Sequence, residues 1–138
     1  MNIDWTTIKA GDDLPSLTRP PIRRTTLALF AGASNDHNPI HIDIDFAKSA
    51  GMDDVFAHGA LSMAWLGQAL THWVPQSALR TFETKFVSIT QLGAEISCHG
   101  KVEELFEADG EPRARLALMA IDQHGDIKLT GEAVVSIK

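Results

Sequence analysis

The stretch that most restricts the fold is HGALSMAWLGQALTHWV, residues 58–74. Ala60, Leu61, Met63, Ala64, Trp65, Leu66, Ala69, Leu70 and Trp73 cover nearly every face of a helix. A helix that is apolar on all sides must be buried on all sides. Pro75 cannot continue it, having no N–H and a ring that clashes with the preceding turn. A chain of 138 residues can bury such a helix only by wrapping a second layer around it.

The second half of the chain supplies that layer. Ile96, Cys98, Gly100 and Val102 alternate with Glu95, Ser97, His99, Lys101 and Glu103. Ala114, Leu116, Leu118 and Ala120 share one face of the next segment, and Ile127, Leu129, Ala133, Val135 and Ile137 one face of the last. Strand side chains point alternately to opposite faces, so each segment reads as a strand with one buried side. Asp109-Gly110 and His124-Gly125 mark the hairpin turns between them. LRTFETKFVSIT, before Gly93, reads as a fourth strand with Phe82 and Phe86 on one face. A long buried helix followed by an antiparallel meander is an α+β arrangement.

Upstream, residues 1–22 are turn-rich, with Gly11, Pro15, Pro20 and Pro21, and leave room for one short edge strand. IRRTTLALFAGAS places Ile22, Leu27, Phe30 and Ala31 at near-helical spacing, and Gly32 with the polar run behind it is expected to end that helix. Asp45 is the expected N-cap of a second short helix, FAKSAG, closed by Gly51. Residues 1–138 read as a single domain without internal repeats.

The net charge of −6 argues against a nucleic-acid binder, which needs a basic stripe, but leaves room for an anionic small molecule on a local basic patch. One cysteine, Cys98, allows no internal disulfide, and its place in a strand pattern makes it a buried, inert thiol. MNIDWTTIKAGDD lacks the basic and apolar regions of a signal peptide, and no stretch approaches the ~20 apolar residues of a membrane span. The expectation is a cytoplasmic protein with no membrane or nucleic-acid partner.

Polar chemistry concentrates in SNDHNPIHIDIDFA, Ser34–Ala47. Two readings stand: a well-capped turn between helices, or a reactive site. Asp and Asn initiate turns and Pro39 stiffens the backbone, which suits the first. Asp36, Asn38 and His41 fall within six residues, which suits the second. A carboxylate and an imidazole that share one water form an acid–base pair, worth ~10²–10⁴ in rate. No CxxC or HExxH motif points to a metal. AHG, residues 57–59, opens the long helix, whose end presents unpaired N–H groups and partial positive charge. Gly59 either eases entry into the helix or lets a carbonyl oxygen approach those N–H groups as an oxyanion hole. Ser49 and Ser62 have no evident activating partner, and there is no G-x-S-x-G elbow, GxGxxG or Walker loop.

FAGASNDHNPIHIDIDFAKSAGMDDVFAHGALSMAW, with GEAVV near the end, resembles the MaoC-like dehydratases, the R-specific enoyl-thioester hydratases. That family shows (A/S)-G-D-x-N-P-(I/L)-H, then a helix, then A-H-G before a long apolar helix. The resemblance runs from about residue 8 to the C-terminus. It implies a hotdog fold, a homodimer or higher oligomer, and in some small subunits a non-identical partner. It implies an acyl-CoA or acyl-carrier-protein thioester as substrate, with no cofactor. Asp36 and His41 become the catalytic pair: Asp36 takes a proton from the attacking water, and His41 holds that water and delivers a proton to C2. Asn38 fixes the loop or the water, and the Gly59 N–H polarises the thioester carbonyl. His58, Phe56, Leu61, Trp65 and Lys85 are the candidates for contacting substrate, and Arg23, Arg24, Lys48 and Lys85 for meeting an anionic carrier. Asn35 stands where the family most often has Gly; Asn tolerates positive φ better than most residues. A hotdog thioesterase more often carries its carboxylate on the long helix, where Ser62, Trp65 and Gln68 offer none. A non-catalytic acyl-binding subunit is the other alternative.

Overall fold

The computed structural model describes residues 3–138; the first two residues of the turn-rich lead lie outside it. Five strands form one antiparallel sheet: β1 (Leu17–Thr18), β2 (Leu79–Phe86), β3 (Ser97–Ala108), β4 (Glu111–Ile121) and β5 (Ile127–Ser136), in the spatial order β1-β3-β4-β5-β2. Three α-helices precede β2: α1 (Arg24–Ser34), α2 (Ile44–Ser49) and α3 (Gly59–Trp73), with a 3-10 turn at Pro39–His41 between the first two. The sheet curls around α3, the hotdog arrangement.

The core forms where α3 meets the sheet's inner face. Leu61, Leu66, Ala69, Leu70 and Trp73 lie buried against Cys98, Val102, Ala114, Leu116, Leu118, Ala120, Ala133 and Val135. Burial pushes the Cys98 thiol up to about 12, so it stays protonated and inert. The closest approach is at Gly100, where a Cβ would lie 2.5 Å from the Trp73 ring. Glycine there lets the indole rest on the strand, and the Trp73 Nε1–H donates to the Pro15 carbonyl at 2.8 Å.

Not all of α3 is covered. Ala60, Ala64 and Gln68 form an exposed row at i, i+4 and i+8. A five-stranded sheet reaches only part of the way around a helix, so full burial within one chain does not hold. Among the described residues the sheet edge at β2 is likewise open, since β2 pairs there with β5 alone.

Several boundaries differ from the sequence expectation. Gly32 lies within α1, which ends two residues later at Ser34 and is capped by Asn35 with φ +57. Asp43, not Asp45, caps α2: its carboxylate accepts the Asp45 N–H at 2.9 Å, and Asp45 sits in the first turn. β2 stops at Phe86, before Val87–Thr90. At the start of β5 a register shift against β4 leaves Ile127 39% exposed and turns Lys128 into the core at 0%. A bulge adds one residue to a strand and so exchanges its two faces locally. Asp109 and Gly110 form the two-residue β3–β4 turn, both with positive φ. Among the described residues, no helix is long and apolar enough to cross a membrane.

Candidate active site

The polar run and the N-terminus of α3 meet. Asn35 turns the chain out of α1 in the left-handed conformation, which its short amide side chain tolerates. Asp36 follows, exposed, with its Oδ1 accepting the Asn38 N–H at 3.2 Å. The Asn38 Oδ1 accepts the Ile40 N–H at 3.1 Å and so caps the 3-10 turn. Asn38 thus fixes the loop, and that turn aims His41 back toward Asp36. The capping expected of this run is present, and these bonds are what hold Asp36 and His41 in place.

A carboxylate oxygen of Asp36 and one ring nitrogen each from His41 and His58 lie within 4.8 Å of one another. The His41 Nδ1 is 2.7 Å from the Phe56 carbonyl. A carbonyl only accepts, so Nδ1 carries the hydrogen and Nε2 of the neutral ring keeps its lone pair. The Phe56 ring also meets His41 edge-on, centroids 5.2 Å apart. His58 is 1% exposed; its Nε2–H donates to the Asp36 backbone carbonyl at 3.0 Å, while Nδ1 is buried without a partner. Burial lowers the His58 pKa, against the Asp36 carbonyl bond, and the neighbouring His41 lowers it further. His58 is therefore a neutral support for the Asp36 loop. One of its nitrogens is bonded and the other closed off, so Asp36 and His41 alone offer free donors. Two are fewer than the three protein ligands of catalytic zinc sites.

These groups face a cavity of about 520 Å³. Phe56, Ala57, His58, Gly59 and Ala60 line one side of it, and Phe86, Val87, Ser88, Ile89 and Thr90 the other. No side chain caps α3, so the N–H groups of its first turn keep no side-chain acceptor. A Cβ at Gly59 would lie 2.9 Å from the Phe86 ring, so glycine here also makes room for that ring.

Phe56, His58 and Gly59 thus join Asp36 and His41. Leu61, Trp65 and Lys85 do not line the cavity. Leu61 is core at 5% exposure, and Trp65 is partly buried with the Arg19 guanidinium 5.8 Å from its ring centroid. Lys85, on β2, pairs with Thr130 of β5, beside Glu83 and Glu132. Arg24 is held by Asp54 in a two-pronged pair at 2.6 and 3.0 Å. Ser62 Oγ is buried without a partner, so nothing activates it. Val87 and Ile89 continue the alternation of β2, so the sequence pattern reads 87–90 as strand and gives no sign that it walls a cavity. A larger cavity, about 680 Å³, is lined by strand and loop residues including Asp13, His99 and Lys101, with Asp13 committed to Lys101 at 3.3 Å. It lacks the helix terminus and the paired groups found at Asp36.

A hotdog domain with a carboxylate–imidazole pair beside an open helix N-terminus is the class that fold and site define. Comparison with known proteins narrows it. The MaoC-like domain family matches residues 9–115. An (R)-specific enoyl-CoA hydratase from Aeromonas caviae is 30% identical over 113 residues, covering 80% of this chain and 83% of that protein. The unliganded (R)-hydratase PhaJ1 from Pseudomonas aeruginosa superposes with a TM-score of 0.83 at 26% identity, covering 96% of this chain and 84% of that one. An (R)-hydratase structure from A. caviae, involved in PHA biosynthesis, gives 0.82 at 25% identity over 96% and 98%. The chain belongs to the MaoC-like dehydratase family.

Proposed function

We propose that this chain adds water to 2-enoyl thioesters, forming (3R)-hydroxyacyl thioesters, and catalyses the reverse dehydration. The observation that carries this reading is the Asp36–His41 pair, within 4.8 Å, beside the uncapped start of α3. One water accepted by both groups through hydrogen bonds of ~2.8 Å would span about 4.6 Å between them. The R configuration and the acyl-CoA substrate are carried over from the similarity to the A. caviae hydratase; an acyl-carrier-protein thioester has the same reacting atoms.

The hydrogen bond from His41 to Phe56 supports a division of labour that reverses the one the family resemblance implies. The neutral Nε2 accepts, so His41 takes the water's proton while Asp36 holds its other hydrogen. As the water oxygen bonds to C3, the double-bond electrons move toward the thioester, and negative charge gathers on its oxygen. The first-turn N–H groups at Gly59 and Ala60 stabilise that oxyanion. The imidazolium, balanced by the Asp36 carboxylate, returns the proton to C2. One water is consumed and the side chains end as they began.

We propose further that two copies pair through the open β2 edge, covering the exposed Ala60–Ala64 row. An unpaired edge strand is a template for another chain, and the helix row beside it begins with two alanines, Ala60 and Ala64.

The test is the purified chain alone with but-2-enoyl-CoA, followed by loss of enoyl absorbance and chiral analysis of the product. The expected product is the (3R)-hydroxyacyl thioester with the thioester bond intact. Release of free thiol instead would mark a thioesterase, and no turnover would mark a subunit that depends on a partner.

A further inference from the structure

Lys128 is fully buried, yet the proposed reaction does not use it. A lysine keeps its ammonium in a core only where its N–H groups find acceptors. Here three do: the Ile89 carbonyl at 2.8 Å, Gln91 Oε1 at 3.3 Å and Asp126 Oδ2 at 3.1 Å. The Asp122 carboxylate adds its charge at 3.7 Å.

One of those acceptors, Ile89, belongs to the strip that follows β2 and walls the site cavity, and Gln91 follows directly on its last residue, Thr90. The main chain of Lys128 holds the same strip, since its carbonyl accepts the N–H groups of Val87 at 2.9 Å and Ser88 at 3.4 Å. Ser88 Oγ donates to the adjacent Ile127 carbonyl at 2.7 Å. On its other side the strip joins the catalytic segment, where the Thr90 carbonyl accepts the Ala57 N–H at 2.8 Å. Apolar burial contributes little here, because Phe86, Val87 and Ile89 are 60%, 53% and 43% exposed. Hydrogen bonds, concentrated on one residue, hold this wall in place.

We propose that Lys128 is a positioning residue whose ammonium clamps Ile89 and Gln91 and so sets the width of the thioester cavity. The substrate part rests on the hydratase reading above; the clamp rests on these bonds alone. The plain alternative is a structural lysine that balances Asp122. On that view its loss lowers overall stability and leaves the kinetics of the folded protein unchanged.

Lys128→Met keeps the volume of the stem and deletes the ammonium. Gln91→Leu removes one acceptor at an exposed position and spares the core. Amide hydrogen exchange and steady-state hydration of but-2-enoyl-CoA are measured on the same preparations. In Lys128→Met, exchange at residues 87–91 should quicken about tenfold relative to the centres of β4 and β5, a local opening rather than a global one. KM should rise about fivefold or more while kcat changes by less than about twofold, the pattern of lost binding without lost chemistry. Gln91→Leu should shift both readouts in the same direction by a smaller factor, and it decides the question if Lys128→Met does not fold. Exchange that rises uniformly or not at all, with KM unchanged, overturns the clamp. A wild-type chain that fails to hydrate the substrate refutes the functional reading, and the exchange arm then judges the clamp by itself.

Discussion

The imidazole rings of His41 and His58 lie stacked, centroids 3.9 Å apart and planes 28° from parallel. Two imidazolium ions would repel strongly in that position. The molecule separates the two rings by environment: His58 is sealed and its pKa is lowered chiefly by burial, while His41 opens to the cavity. The unfolded chain protonates such a histidine near pH ~6.5, and the folded chain only at lower pH. In between, the unfolded state binds more protons, so stability falls as pH falls. We expect the melting temperature to decline on acidification below about pH 6.5. His58→Gln keeps an N–H for the Asp36 carbonyl and removes the titration, so the decline should flatten. Equal slopes in the two proteins would remove His58 as its source.

Asp36 and His41 should each be indispensable to turnover and dispensable to folding. Asp36 is exposed, and the His41 ring is anchored to one carbonyl, so neither carries much of the core. Asp36→Asn and His41→Ala should each lower hydration by ~10²-fold or more, in the range of an acid–base group. Near wild-type turnover in either variant defeats the assignment; circular dichroism confirms that the fold is intact.

Pairing through β2 predicts a dimer that a charge on the α3 row disrupts. Ala64→Glu places a carboxylate on an exposed position of a single chain, where it is harmless, and within the proposed interface, where it is costly. Light scattering should show a wild-type dimer of roughly twice the 15.0 kDa chain mass and a smaller variant. A wild-type protein that is an active monomer contradicts the pairing.

Periodicity located α3 and β3–β5 because their apolar spacing reports burial directly. It failed where backbone geometry intervenes. Lys128 lies between Ile127 and Leu129, and alternation sends it outward; only the register shift against β4 turns it inward. Val87 and Ile89 extend the strand pattern, yet their segment leaves the ladder to bond with Ala57 and Lys128. Within α3, residues apolar on every face give no sign of which side meets a cavity, so Leu61 and Trp65 were candidates for lining it. The Asp36–His41 pair was legible because its parts are close in sequence. The support from His58, 22 residues from Asp36, needed the fold.

The contact between Trp73 and Gly100 sets how closely helix and sheet can pack. A methyl group at Gly100 would meet the rigid, buried indole at 2.5 Å, with no flexible chain end to yield. Gly100→Ala should therefore cost about 1–3 kcal/mol, the usual penalty of overpacking. Denaturant unfolding measures it, and the hydration activity of the folded fraction should be unchanged because Trp73 is at the far end of α3 from the cavity. A stability within experimental error of wild type would mean that the indole moves aside.

Gly59 poses the same steric question with a different answer. A Cβ there meets Phe86 at 2.9 Å, but that ring is 60% exposed and free to swing outward. Gly59→Val should consequently fold with a modest loss of stability. The side chain would still stand at the mouth of the first turn of α3, where the thioester oxygen is proposed to dock. Turnover should fall by ~10²–10³, the loss expected for an oxyanion donor. Adding Phe86→Ala separates the two effects. It removes the clash and should restore part of the melting temperature, while turnover remains low. If the double variant recovers activity along with stability, Gly59 serves only to accommodate Phe86, and the oxyanion must be held elsewhere.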